Sequence, residues 1–108
     1  MIKRINIFSL KEGADPDKVW KYWLEVHAAH VKKIPGLRKY VINRVIKQLP
    51  GPAGKKGVKY WGIVELWFDS EADHDRAINS PAYNQKDEWT TFVGPPSITF
   101  VEEKVLVE

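Results

Sequence analysis

His27 and His30 lie in the stretch WKYWLEVHAAHVKKIPGLRKY, Trp20–Tyr40, whose other features are those of an amphipathic helix running into a break and a strand. On a helical wheel with Val19 at zero, Trp23 falls at about 40°, His27 at about 80°, Trp20 at about 100°, Val31 at about 120° and His30 at about 20°. Lys18, Lys21, Glu25 and Lys32 take the opposite side. His27 should therefore point between Trp20, Trp23, Leu24 and Val31, toward a sheet. A buried imidazole needs a hydrogen-bond partner, because an unpaired one costs about 1–3 kcal/mol. It is also the side chain whose ordinary pKa lies near neutrality, which suits general acid–base chemistry. Two readings follow: a core histidine satisfied by a carbonyl or a tyrosine, or a proton-transfer group. A metal shared by His27 and His30 lacks an evident third ligand, and Glu65 would serve only if it faced the helices. No metal is expected.

The elements that must position this helix are readable in outline. Ile2–Leu10 has the Ile and Phe content of a strand, with imperfect alternation. Asp15-Pro16 is a helix start, and the helix should run to about Lys33 and stop at Pro35-Gly36. Leu37–Lys47 and Val58–Phe68 read as strands joined by the Pro/Gly-rich loop Gln48–Gly57. Ser70 opens a second helix to about Asn79, Ser80-Pro81 a short third one to about Trp89, and Ile98–Val107 is the last strand. The order β-α-β-β-α-β predicts an α+β, ferredoxin-like fold: a four-stranded antiparallel sheet with helices on one face. A single domain over 1–108 is expected.

In the third strand Tyr60, Val64, Leu66 and Phe68 share one face, while Trp61, Ile63 and Trp67 share the other. A sheet apolar on both faces should be covered on both, so a homodimer with sheets face to face is expected. The chain has five tryptophans and no cysteine, which argues for a folded core and against disulfides and thiolate metal sites. The segment MIKRINIFSLKEG holds no apolar run of signal length, and no stretch approaches the roughly 20 apolar residues of a membrane span. A cytoplasmic protein with no membrane partner is expected. The net charge of +3 is spread along the chain without a basic stripe interleaved with exposed aromatics, so no nucleic-acid partner is expected. The loop GPAGKKG lacks the spacing of a phosphate loop, and neither a dinucleotide fingerprint nor a nucleophile elbow is present. His74, and Asp87 with Glu88, read as solvated helix residues.

The runs YWLEVHAAHVKKIPGLRKYVINRV, GIVELWFDSEAD and NSPAY resemble the EthD family over nearly the whole chain. The most specific parts are Trp23 and His27 on the helix, the break Ile34-Pro35-Gly36-Leu37 with Tyr40 just beyond, and Glu65-Leu66-Trp67-Phe68. The resemblance implies a dimeric α/β barrel with a pocket between sheet and helices. The family includes an ether-degradation accessory protein, fungal polyketide dehydratases and lactone methylisomerases of aromatic-acid breakdown. By the methylisomerase motif, the catalytic positions fall on His27 and Tyr40. Ala29 stands where that motif commonly has proline, and His30 follows it.

A histidine and a tyrosine in an apolar cleft can remove a proton alpha to a carbonyl and donate to the developing enolate oxygen. Asn6 and Asn43 are possible polar aids. The resulting expectation is a cofactor-free lyase or isomerase of catabolism, acting on a small lactone, unsaturated acid or polyketide-like ligand. Its ligand would lie against Trp20, Trp23, His30 and Trp67. The alternatives are a non-catalytic ligand-binding or accessory protein whose tryptophans fill the cleft, and a haem-type monooxygenase relative with His27 as axial ligand. A cavity beside His27 would favour catalysis, and dense packing there the accessory role.

Overall fold

Asp15 caps the first helix: its carboxylate accepts the backbone N–H groups of Asp17 and Lys18 at 3.0 and 3.3 Å, and Pro16 takes the first helical position. In the computed structural model, which describes residues 1–108, helix α1 (Pro16–Tyr22) passes into a π-helical turn (Trp23–His27) and then helix α2 (Ala28–Val31). The Ala28 N–H reaches back five residues to the Trp23 carbonyl. At the far end the Leu37 N–H bonds to the Ile34 carbonyl at 3.4 Å, and Gly36 has φ +80°. Pro35 and Gly36 thus supply the fixed and the positive φ of a type II turn.

Strands β1 (Ile2–Phe8), β2 (Leu37–Arg44), β3 (Gly62–Phe68) and β4 (Ser97–Val101) form one antiparallel sheet in the order β2-β3-β1-β4. Helices α3 (Glu71–Ala77) and α4 (Trp89–Phe92) complete the chain order. This is the expected ferredoxin-like arrangement. Ser70 caps α3 by accepting the Asp73 N–H at 3.2 Å.

Several boundaries differ from expectation: β1 stops at Phe8 and β2 at Arg44, short of Leu10 and Lys47, and three differences are larger. No helix runs from Ser80 to Trp89. Ser80 Oγ donates to the Ala77 carbonyl and accepts from the Tyr83 N–H, and the Asn84 amide bonds to the carbonyls of Ile78 and Ser80. These local bonds hold a run of turns in place of a helix. Strand β4 ends at Val101, opposite Lys3, instead of at Val107, because only two residues of the β1 segment lie beyond that pair. Strand β3 begins at Gly62, the residue opposite Phe8 at the end of β1.

The core lies between the sheet and the helices. Phe8, Val64, Leu66 and Phe68 point down from the sheet onto Val19, Trp23, Ile34, Ala77 and Val93. Trp61 joins them, against expectation: its ring lies 5.7 Å from Trp23 and 6.3 Å from Phe8. It precedes the first ladder pair of β3, so strand alternation does not govern it. Leu24 is corrected the other way and is 50% exposed.

Gly62 is required by its neighbour. A Cβ there would stand 2.2 Å from the Phe8 ring, which is wedged among aromatic residues. Gly62→Ala should lower stability by about 1–3 kcal/mol, as overpacking does, measured by chemical denaturation.

Candidate active site

The π turn brings two imidazoles onto one carboxylate. Nδ1 of His27 lies 3.0 Å, and Nδ1 of His30 2.7 Å, from Oδ2 of Asp87. The other oxygen, Oδ1, accepts the Trp89 N–H at 2.7 Å, the short side-chain turn that starts α4. Tyr22 holds the same segment, its hydroxyl accepting the Glu88 N–H at 2.8 Å while its ring stacks on Trp89. The His27 ring in turn lies flat on Trp89, centroids 4.5 Å apart and 11° between planes. Asp87 is not the solvated residue its sequence neighbourhood indicated: its side chain is 8% exposed. Tertiary packing of α4 against the first helix turns it inward.

The neutral His27 imidazole donates from Nδ1 to the carboxylate, which leaves its Nε2 with its lone pair free. Burial holds the pKa of His27 below its ordinary value; the Asp87 carboxylate opposes this and the nearby His30 adds to it. Burial also pushes Asp87 upward, but the hydrogen bonds from His27, the Trp89 N–H and His30 outweigh it and leave its pKa lowered. The two directions are compatible in one state: Asp87 ionised and His27 neutral at pH 7.

A cavity of about 690 Å³ lies between sheet and helices beside this group, with Trp23, His27, His30 and Tyr40 in its lining and apolar walls from Phe8, Val64, Leu66 and Val93. The dense tryptophan filling of the accessory alternative is absent there. Tyr40 stands opposite Leu66 on the helix-facing side of β2. Its hydroxyl accepts the Trp23 indole N–H at 3.2 Å, so its own proton is available to a further acceptor. Burial pushes the Tyr40 pKa up to about 12, partly offset by that indole bond, which keeps the phenol protonated.

Two of the residues expected to bind ligand are not in this cavity. Trp20 packs edge-on against Trp23 and Trp61 and lies under the Arg44 guanidinium. Trp67 points from the opposite face of the sheet, between the ammonium groups of Lys3 and Lys39 at 4.7 and 4.8 Å from its ring centre. Strand alternation, counted from Val64 and Leu66, requires that face. Glu65 shares it, paired with Lys3 at 2.6 Å and with the Asn43 amide, and is no third ligand for the histidines. Asn6 faces the cavity and Asn43 does not.

Sequence reading also missed Arg4 and His74. His74 is 6% exposed, with its ring edge-on to Phe68 and Phe100 and its Nε2 2.9 Å from Arg4 Nη1. The imperfect alternation of β1 was the available signal: Arg4 and Asn6 sit on the same parity as Phe8.

The fold and cavity define an α+β, ferredoxin-like protein with an interior site between sheet and helices. The EthD domain matches residues 11–96, and the chain belongs to the EthD family. It is similar in structure to a DABB family protein of ferredoxin-like fold from Mesorhizobium loti, with TM-score 0.71, 18% identity, and 96% of this chain and 97% of that one covered. An EthD family protein from Bacillus halodurans gives 0.69 and 17%, covering 96% and 100%. A dimeric protein of unknown function and ferredoxin-like fold from Bacteroides fragilis gives 0.68 and 17%, covering 94% and 95%. A search of curated proteins finds no match.

Proposed function

We propose that this EthD protein catalyses cofactor-free proton transfer on a small organic ligand, as an isomerase or lyase, with His27 as base and Tyr40 as hydrogen-bond donor. The observation that supports the reading best is the Asp87-anchored imidazole, its Nε2 free, beside a cavity large enough for a small-molecule ligand. His27 Nε2 takes a proton from the carbon alpha to a carbonyl. The C–H electron pair moves to form the enolate, whose oxygen is held by the Tyr40 hydroxyl. Isomerisation returns the proton at another carbon. Elimination expels a hydroxyl, which takes the proton and leaves as water. Asp87 keeps the His27 ring oriented and stabilises its charged form as it appears.

The test is exchange of alpha protons for solvent deuterium, followed by NMR across lactones and unsaturated acids. Exchange should be catalysed by wild type and reduced in both His27→Gln and Tyr40→Phe. Undiminished exchange in both variants would sink the assignment.

The outer sheet face favours a homodimer. Ile5, Ile7, Val41 and Ile63 lie there with no element of the chain packed across them, whereas Trp67 already has its lysines. A second copy would cover them, as the dimeric Bacteroides fragilis neighbour suggests. Light scattering at micromolar concentration should give twice the chain mass, and Ile63→Lys should return it to one.

A further inference from the structure

The cavity has a second polar feature, on β1. Arg4 lines it, yet the residue is 4% exposed. Its Nε donates to Asn6 Oδ1 at 3.0 Å and its Nη2 to the Tyr83 hydroxyl at 3.0 Å, while Nη1 lies 2.9 Å from His74 Nε2. A guanidinium only donates, so His74 accepts at Nε2 and carries its proton on Nδ1, which faces Asp75 Oδ1 at 3.3 Å. None of the three groups bonded to Arg4 is a carboxylate. Asp75 is exposed and reaches the guanidinium only through the imidazole. Asp73, on the same helix, is held by Arg76 and Ser70.

A buried charge is costly unless an opposite charge meets it, and here none does. The remaining charges of the lining do not supply one. Lys11 and Lys86 are cations, and Asp87 is committed to His27, His30 and the Trp89 N–H. The cavity therefore has an excess of positive charge around apolar walls, with two of the five guanidinium N–H groups of Arg4 still unassigned.

We infer that the cavity takes an organic anion, a small carboxylic acid with an apolar body, and that Arg4 receives its carboxylate. The inference rests on the proton-transfer reading for the location of the reacting end and names the substrate class. The anionic group is held from β1, and the apolar body lies against the walls that lead to His27. The geometry suits a planar two-oxygen acceptor, which a guanidinium fork binds better than a single-point donor does.

Calorimetric titration with benzoate, cinnamate and 2-furoate, each beside its primary amide, tests the charge alone, since each pair has nearly the same shape. At least one acid should bind wild type at least about tenfold more tightly than its amide. The preference should survive in His27→Gln and in the Lys11→Gln/Lys86→Gln double variant, and disappear in Arg4→Gln. Acids no tighter than amides, including no binding by either, would overturn the inference. So would a preference that follows the lysines or persists without Arg4. If Arg4→Gln does not fold, nitrogen-15 NMR of wild type decides: the Arg4 Nε resonance should shift with benzoate and not with benzamide, and no shift overturns the inference. Binding of acids is read without turnover. Failure of His27 as base therefore leaves the Arg4 result intact, and the reverse also holds.

Discussion

His27→Gln should lower catalysed proton exchange by about 10²–10⁴-fold, the usual worth of a positioned general base. Asp87→Asn should reproduce much of that loss while His27 is still present. The carboxylate accepts from both imidazoles at Nδ1. An amide placed there can donate in its turn, which favours the opposite tautomer and puts the proton on the nitrogen that should act as base. A purely structural Asp87 would give a different pattern, with stability lost and exchange per folded molecule unchanged.

The pH dependence adds an independent readout. Burial holds the pKa of His27 below its ordinary 6.5, so the midpoint of the loss of exchange on acidification should lie below pH 6.5. Stability follows with the same sign. The unfolded chain takes up a proton at His27 near pH 6.5 and the folded chain only below that, so the folded state loses ground as pH falls from 6.5 through the folded pKa. Asp87 acts likewise at lower pH: its depressed pKa contributes stability above 3.8 that is lost as pH falls through the folded value. A stability profile that rose on acidification from pH 7 to 5 would contradict the assigned neutral His27.

Trp23→Ala should be the most damaging single core substitution, costing about 3–5 kcal/mol. Trp23 is 0% exposed, and its ring lies within 5.7 Å of Phe8, Trp20, Trp61 and Trp89. Against a total stability of about 5–15 kcal/mol for a domain of this kind, such a loss leaves a substantially unfolded population. Trp23→Phe separates packing from polarity. It retains an aromatic ring but removes the N–H that Tyr40 accepts, leaving a buried hydroxyl with one partner fewer. A loss of about 1–3 kcal/mol is expected, with the Tyr40 environment altered. Urea denaturation followed by circular dichroism measures both, and equal losses in the two variants would show that ring volume is not what Trp23 contributes.

The features that the chain specifies locally were legible in its sequence. Asp15-Pro16 starts the helix because a carboxylate acceptor and a fixed φ are properties of those residues alone. Pro35-Gly36 turns the chain because one residue fixes φ and the other tolerates its positive value. Alternation in β3 placed Val64, Leu66 and Phe68 together, and helical periodicity placed His27 toward the sheet. The EthD resemblance and the ferredoxin-like strand order followed from the same stretches.

What sequence could not supply was the partner of each polar group. Asp87 meets His27 from 60 residues away, and His74 meets Arg4 from 70 residues away. Periodicity states which side of an element a residue occupies. It does not state which distant loop will pack there, so Asp87 and His74 read as solvated when they are buried. Trp61 was assigned to the outer face for a related reason: it precedes the start of the ladder, which pairing with β1 sets, whereas alternation within the ladder itself puts Trp67 on the outer face and not in the site. The π turn belongs with these. Its extra residue per turn runs against local helical preference, and its result is two imidazoles on one carboxylate. The sequence by itself determined the order of the four strands and first two helices, the family and the inward face of His27. Only the tertiary structure decided which charges meet in the cavity, because those contacts join segments with no local relation along the chain.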